Sequence, residues 1–106
     1  MPSFDDREKA FENKYAHDAD MQFRAEARRN KLVGLWAAEL MGMTGETAAA
    51  YAKDVVAADF EEAGIEDVVR KVKADLGDKA SADEIRAKMA EMLPVAKAQL
   101  MQEVQP

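Results

Sequence analysis

The chain of 106 residues contains no cysteine, which excludes disulfides, thiolate metal sites and cysteine nucleophiles together and rules out a small disulfide-built secreted scaffold. It has one histidine, one tryptophan and three prolines. No apolar run approaches the roughly 18 residues that mark a membrane span. The start, Met1-Pro2-Ser3-Phe4-Asp5-Asp6, lacks the basic head and apolar centre of a signal peptide. A cytoplasmic protein with no direct membrane insertion is the expectation. Asn-Gly and Asp-Gly hairpin signals are missing too, and no strand is expected. A surplus of positive charge is also lacking. The net charge is −6, residues 1–31 hold seven acids and seven bases, and the whole acidic excess falls on 32–106. Phosphate binding needs a cationic face, so no nucleic-acid partner is expected.

What is present is helical. Ala, Glu, Lys, Met and Leu abound, and Val and Ile recur at helical spacing. From Met21 the apolar positions Ala25, Leu32, Val33, Leu35, Trp36 and Leu40 trace a stripe that ends near Gly42, with Asp18 or Asp20 placed to cap its start. Thr44 opens a second helix facing inward through Ala48, Tyr51, Ala52, Val55, Val56 and Phe60, and Gly64 resets the chain. Ile65, Val68, Val69, Val72 and Leu76 form the cleanest helical period, closed by Gly77. Ser81 and Glu84 read as a capping box before Ile85, Met89, Met92, Leu93, Ala96 and Leu100, a run that Pro94 should kink or break. Short connections favour antiparallel neighbours. The expected fold is all-α, a compact four-helix bundle over residues 20–106 preceded by an N-terminal segment, 1–19, that is disordered or frayed when free.

That segment is the informative part. At about 100° per residue, Phe11, Tyr15, Asp18 and Gln22 fall within roughly 40° of Phe4, so three aromatics share one narrow face while the other faces are charged. Ser3 and Asp6 resemble a capping box, and Asp5, Asp6 and Glu8 suit the positive end of a helix dipole. Yet the stripe is narrower than a core-docking helix usually shows, and a helix of this length is marginal alone in water. Two outcomes stay open: the aromatics dock on the neighbouring helices of the same chain, or another protein receives them.

Catalytic patterns do not emerge. Gly42-Met43-Thr44-Gly45 follows a helix and lacks the Gly-Lys-Ser/Thr ending of a phosphate loop, so it reads as a turn. His17 with Asp18 and Asp20 is a weak ligand set, and no metal or cofactor is expected. Ser3 and Ser81 lie at caps, which leaves His17 without a triad. Glu61-Glu62 and Glu66-Asp67 read as solvated or capping carboxylates. The chain is therefore expected to be a binding protein and not an enzyme. As the sole side chain with an ordinary pKa near neutrality, His17 is expected to modulate binding by the segment.

The run Phe4-Asp5-Asp6-Arg7-Glu8, with Phe11-Glu12, Lys14-Tyr15-Ala16-His17-Asp18, Phe23 through Leu32 and Gly34-Leu35-Trp36-Ala37-Ala38, strongly resembles the zeta subunit of alphaproteobacterial ATP synthases. The resemblance extends through Tyr51-Ala52, Val55-Val56 and Asp59-Phe60 to Ile85-Arg86-Ala87-Lys88-Met89. It implies a natural inhibitor of ATP hydrolysis, monomeric when free and peripheral to the inner membrane through the ATP synthase. Its N-terminal segment would fold as a helix into the catalytic interface of the alpha and beta subunits near gamma and block rotation. By matching positions, Phe4, Phe11 and Tyr15 would be apolar anchors, and Asp5, Asp6, Arg7, Lys14, His17 and Asp18 polar contacts. Arg24, Arg28 and Arg29 are candidates to meet acidic groups at the point of insertion. Two other readings are a small-molecule or nucleotide-binding bundle and a regulatory adaptor for another protein.

Overall fold

The computed structural model describes residues 4–58 and 64–104, apart from the side chains of Phe4 and Val104. Ser3, Phe60, Glu61 and Glu62, to which the sequence assigns a cap, a core position and a solvated pair, lie outside the described residues. Among the described residues the protein is all-α: α1 Phe4–Tyr15, α2 Ala19–Leu40, α3 Gly45–Ala58, α4 Glu66–Leu76, a 3-10 turn Gly77–Lys79 and α5 Ala82–Val104. Five helices stand where four and a segment were expected. The fifth is the N-terminal segment itself.

The helix boundaries follow local chemistry. Asp18 caps α2, its carboxylate accepting from the Met21 N–H at 3.1 Å, so one of the unpaired first-turn donors is satisfied. Ser81 and Glu84 form both arms of the capping box, Ser81 Oγ accepting from Glu84 N and Glu84 Oε1 from Ser81 N, each at 3.1 Å. Gly77 closes α4 at a φ of 58°, a conformation that costs glycine nothing. Pro94 does not end α5, which runs on to Val104. The carbonyl that Pro94 leaves without a donor belongs to Ala90, an exposed residue, so the lost hydrogen bond falls on the solvent side of the helix. Asp67, expected to be a solvated or capping acid, is buried and not solvated, and its carboxylate accepts from the Val68 N–H at 2.9 Å, in the first turn where such donors are free.

Two apolar clusters hold the helices. The larger draws Val33, Ala37 and Ala38 from α2, Tyr51 and Val55 from α3, Val68, Val69, Val72 and Leu76 from α4, and Ile85 and Met89 from α5, with Trp36 packed at its margin. The smaller joins Phe11 of α1 to Met21 and Ala25 of α2 and to Leu100 and Met101 of α5. Between them on α2 lie Arg29 and Asn30, both buried, with Arg29 Nε donating to Asn30 Oδ1 at 3.0 Å.

Two predictions concern the larger cluster. A Cβ on Gly34 would lie 2.8 Å from the Ala52 Cα and 3.2 Å from Val55 Cγ2, so α2 and α3 would have to separate. Gly34→Ala is expected to cost about 1–3 kcal/mol, read as a fall in melting temperature by circular dichroism; an unchanged melting temperature would contradict this close approach. Tyr51 and Lys71 both donate to Asp75 Oδ2, at 2.8 and 2.9 Å. Partial burial pushes the Asp75 carboxyl up, but the bonds from Lys71 and Tyr51 outweigh it and hold the pKa below its ordinary value. A depressed carboxyl pKa contributes stability above the unfolded value and loses it as pH falls through the folded one. Lys71→Met should therefore lower the melting temperature at neutral pH, and its difference from wild type should begin to shrink near about pH 3.9 and close as pH falls through the lower folded-state value, as melting curves across that range would show.

Candidate functional site

The twelve residues of α1 begin with Asp5 and Asp6 in the first turn and end with Lys14 in the last, charges that complement the helix dipole at both ends. Its apolar face is the aromatic stripe. Phe11 is fully buried, and its ring meets that of half-buried Tyr15 with centroids 5.3 Å apart and planes at 55°, a tilted geometry that aromatic pairs favour. Most of α1's contacts are with α5 and few with α2. Leu93, Leu100 and Met101 of α5 supply the apolar wall. Lys97 spans the seam, pairing with Glu12 and placing its Nζ 6.0 Å from the Phe11 ring centroid. The C-terminal end of α1 is closed by Gln22, whose Nε2 donates to the Tyr15 carbonyl at 2.9 Å, and by the Asp18 N–H at 3.0 Å to the same oxygen.

The residues picked out from sequence are thus distributed unevenly. Phe11 and Tyr15 face the chain's own α5. Asp5, Asp6, Lys14, His17 and Asp18 are exposed, and Arg7 is half-buried. Lys14 places its Nζ 5.3 Å over the Tyr15 ring. His17 and Asp18 sit at the corner between α1 and α2, beside an open polar depression that also involves Asn13 and Lys14. The Phe4 side chain lies outside the described residues. Among the described residues, no group of three or more His, Asp or Glu side chains is placed to hold a metal, and no helix is long and apolar enough to cross a membrane.

The three arginines serve different ends. Arg28 reaches across to α5, donating to Gln99 Oε1 at 3.0 Å and Glu103 Oε1 at 2.8 Å. Arg29 is buried. Arg24 remains exposed and pairs with Asp20 one turn back at 3.1 Å, a solvated contact worth little. Glu12, Leu93, Lys97, Leu100 and Met101 form the receiving seam, and sequence reasoning passed over them as a site. The available signal was length: the apolar stripe of α5 continues to Leu100, farther than the shorter α3 and α4 can cover.

Fold and site together define a small all-α protein whose N-terminal amphipathic helix is folded back against its C-terminal helix. The family model for ATPase inhibitor subunit zeta matches residues 1–99, and the chain belongs to that family. It is accordingly a member of a family of ATPase inhibitors, a regulatory class. A chain solved by solution NMR is 62% identical, with the match covering 79% of this chain and 99% of that one at a TM-score of 0.75. No curated protein matches the sequence.

The seam generates its own prediction. Truncating a fully buried Phe typically costs about 3–5 kcal/mol, more than a single short helix retains, so Phe11→Ala should free α1 from α5. Hydrogen exchange should show the amides of 8–15 losing protection while those of α4 and the first half of α5 keep it; wild-type protection in α1 would show that Phe11 does not hold it down.

Proposed function

We propose that this protein inhibits ATP hydrolysis by the catalytic head of the F-type ATP synthase, with α1 as the inhibitory element and the four helices α2–α5 as the bundle that delivers it. The observation that supports this reading most directly is α1 itself: an amphipathic helix at the chain terminus, held mainly by one helix and lying within the segment matched to the family. A helix with a narrow apolar face and charged flanks is the form a helix-in-groove ligand takes.

The inhibitory step is an exchange of partners. Phe11 and Tyr15 leave Leu93, Leu100 and Met101, and the Glu12–Lys97 pair opens. The same aromatic face then enters the interface between the alpha and beta subunits near gamma, with Phe4, Phe11 and Tyr15 as anchors and Asp5, Asp6, Arg7, Lys14, His17 and Asp18 at the polar margin. A rotary enzyme must open and close each catalytic interface in turn, and a helix of twelve residues, about 18 Å long, would prevent closure. With α1 docked as a helix on α5, this reading does not require binding to create the helix from coil. The cost is undocking instead, with Phe11 alone worth about 1.5–3 kcal/mol of burial, and this lowers the apparent affinity by the fraction of chains with α1 released.

An assay of ATP hydrolysis by the purified catalytic head tests both parts. Wild-type chain should suppress hydrolysis, and a chain with no effect would sink the function. Because the protein has no cysteine, Glu12→Cys and Lys97→Cys would introduce the only two thiols, which a short cleavable linker can join across the seam. The tethered variant should inhibit at least about tenfold more weakly than the same variant after cleavage. Equal inhibition before and after cleavage would show that α1 acts without leaving α5.

A further inference from the structure

With no cysteine, the seven methionines carry all the sulfur of the chain. A thioether is oxidised where an electrophilic oxygen can reach its lone pair, so exposure decides which of them react. Their settings differ. Met41, Met43 and Met92 are half-buried at the margin of the larger cluster, and Met89 lies inside it at 1% exposure. That cluster takes its described side chains from α2 to α5 and the turn after α4, and none from α1. Met21 and Met101 belong to the smaller cluster, 9% and 3% exposed, beside Phe11, Ala25 and Leu100. Their burial depends on α1. Phe11 is the side chain that α1 inserts there, and α1 rests mainly on α5, the helix that carries Met101.

We infer that Met101, together with Met21 in the same cluster, is an oxidation site gated by α1, whose conversion to the sulfoxide keeps α1 from docking again. While α1 covers them the two sulfurs are out of reach; while it is away from α5 a hydroperoxide meets them. The thioether lone pair attacks the outer peroxide oxygen and the O–O bond breaks. That oxygen stays on sulfur as the sulfoxide, its proton moves to the other oxygen, and water or an alcohol leaves; sulfur loses two electrons and the peroxide gains them. The product no longer suits its place. Phe11, Ala25 and Leu100 offer a sulfoxide no side-chain donor, and Lys97, one turn before Met101, is engaged by Glu12, so docking α1 again would bury an unpaired polar oxygen. The signal persists until the sulfoxide is reduced. Its effect on inhibition rests on the function proposed above: in the oxidised chain, release of α1 no longer limits binding.

The test treats full-length chain with hydrogen peroxide and follows the sulfoxide at each methionine by peptide mass spectrometry. In wild type, Met21 and Met101 should oxidise more slowly than Met41 and Met43 and faster than Met89. Phe11→Ala should speed both by about tenfold or more and leave Met89 unchanged; equal rates at Met21 and Met101 in the two chains would overturn the gating. Hydrogen exchange reads the consequence. After oxidation the amides of 8–15 in wild type should lose about tenfold in protection, and methionine sulfoxide reductases should restore it. Met21→Leu/Met101→Leu, which keeps the volume and takes up no oxygen, should keep its protection under the same treatment. Loss in both chains, or in neither, would overturn the inference. Oxidised wild type should also inhibit ATP hydrolysis by the purified catalytic head at a several-fold lower concentration than the equally treated Leu variant, and equal inhibition would overturn the regulatory effect. A chain that meets the oxidation and exchange results yet never inhibits leaves the site standing and defeats the function proposed above.

Discussion

The structure depends on a mismatch of helix lengths. At 1.5 Å per residue, α2 and α5, with 22 and 23 residues, run about 33 and 35 Å, while α3 and α4, with 14 and 11, run about 21 and 17 Å. The short pair can cover only part of the long pair. Where they do, the large cluster forms around Val33, Val55, Val72 and Ile85; beyond them, Met21, Ala25, Leu100 and Met101 would be left with one open side. An apolar surface of that kind is costly in water. α1 closes it with Phe11, and the three-residue turn between α1 and α2 brings it back to the place that lacks a layer.

Covering an end differs from building a core. The α1 cluster is set apart from the main one by Arg29 and Asn30, a buried polar step on α2 that interrupts the apolar column between Ala25 and Val33. Loss of α1 therefore strips one cluster without opening the other, which is the arrangement that allows a local opening well below the free energy of global unfolding. The seam is also modest in kind: one fully buried aromatic, a half-buried one and an ion pair between Glu12 and Lys97. An element designed to stay would be expected to touch more than one helix extensively. An element that changes partners needs a resting place that protects its aromatics from water and releases them at a cost a better groove can offset.

Sequence revealed the punctuation of this fold more readily than its packing. Asp18, Ser81 with Glu84, and Gly77 act on their own backbone within three or four residues, so their roles are written locally and the structure places them as caps. The stripe of α1 was equally visible, but a helical period announces a face without naming what lies opposite. Whether α5 or another protein meets Phe11 depends on how far α3 and α4 reach, a property of the assembled chain. Arg28 shows the same limit: its partners are 71 and 75 residues away in sequence, and nothing near it distinguishes it from Arg24, which stays on the surface. The burial of Asp67, read as a solvated or capping acid, comes from the fold around the start of α4, and Pro94, read as a kink or a break, does not end α5 because its lost hydrogen bond falls at exposed Ala90.

The proposed exchange of partners constrains where α1 can open. Release of α1 exposes Phe11, Tyr15, Leu93 and Met101 at once, so a chain that opened in free solution would pay for two bare apolar faces. On the proposed reading, opening against the partner exposes them only briefly, because the partner's site replaces α5 as soon as α5 is left. On the same reading, the change of partner at Phe11 sets how long the inhibited state lasts.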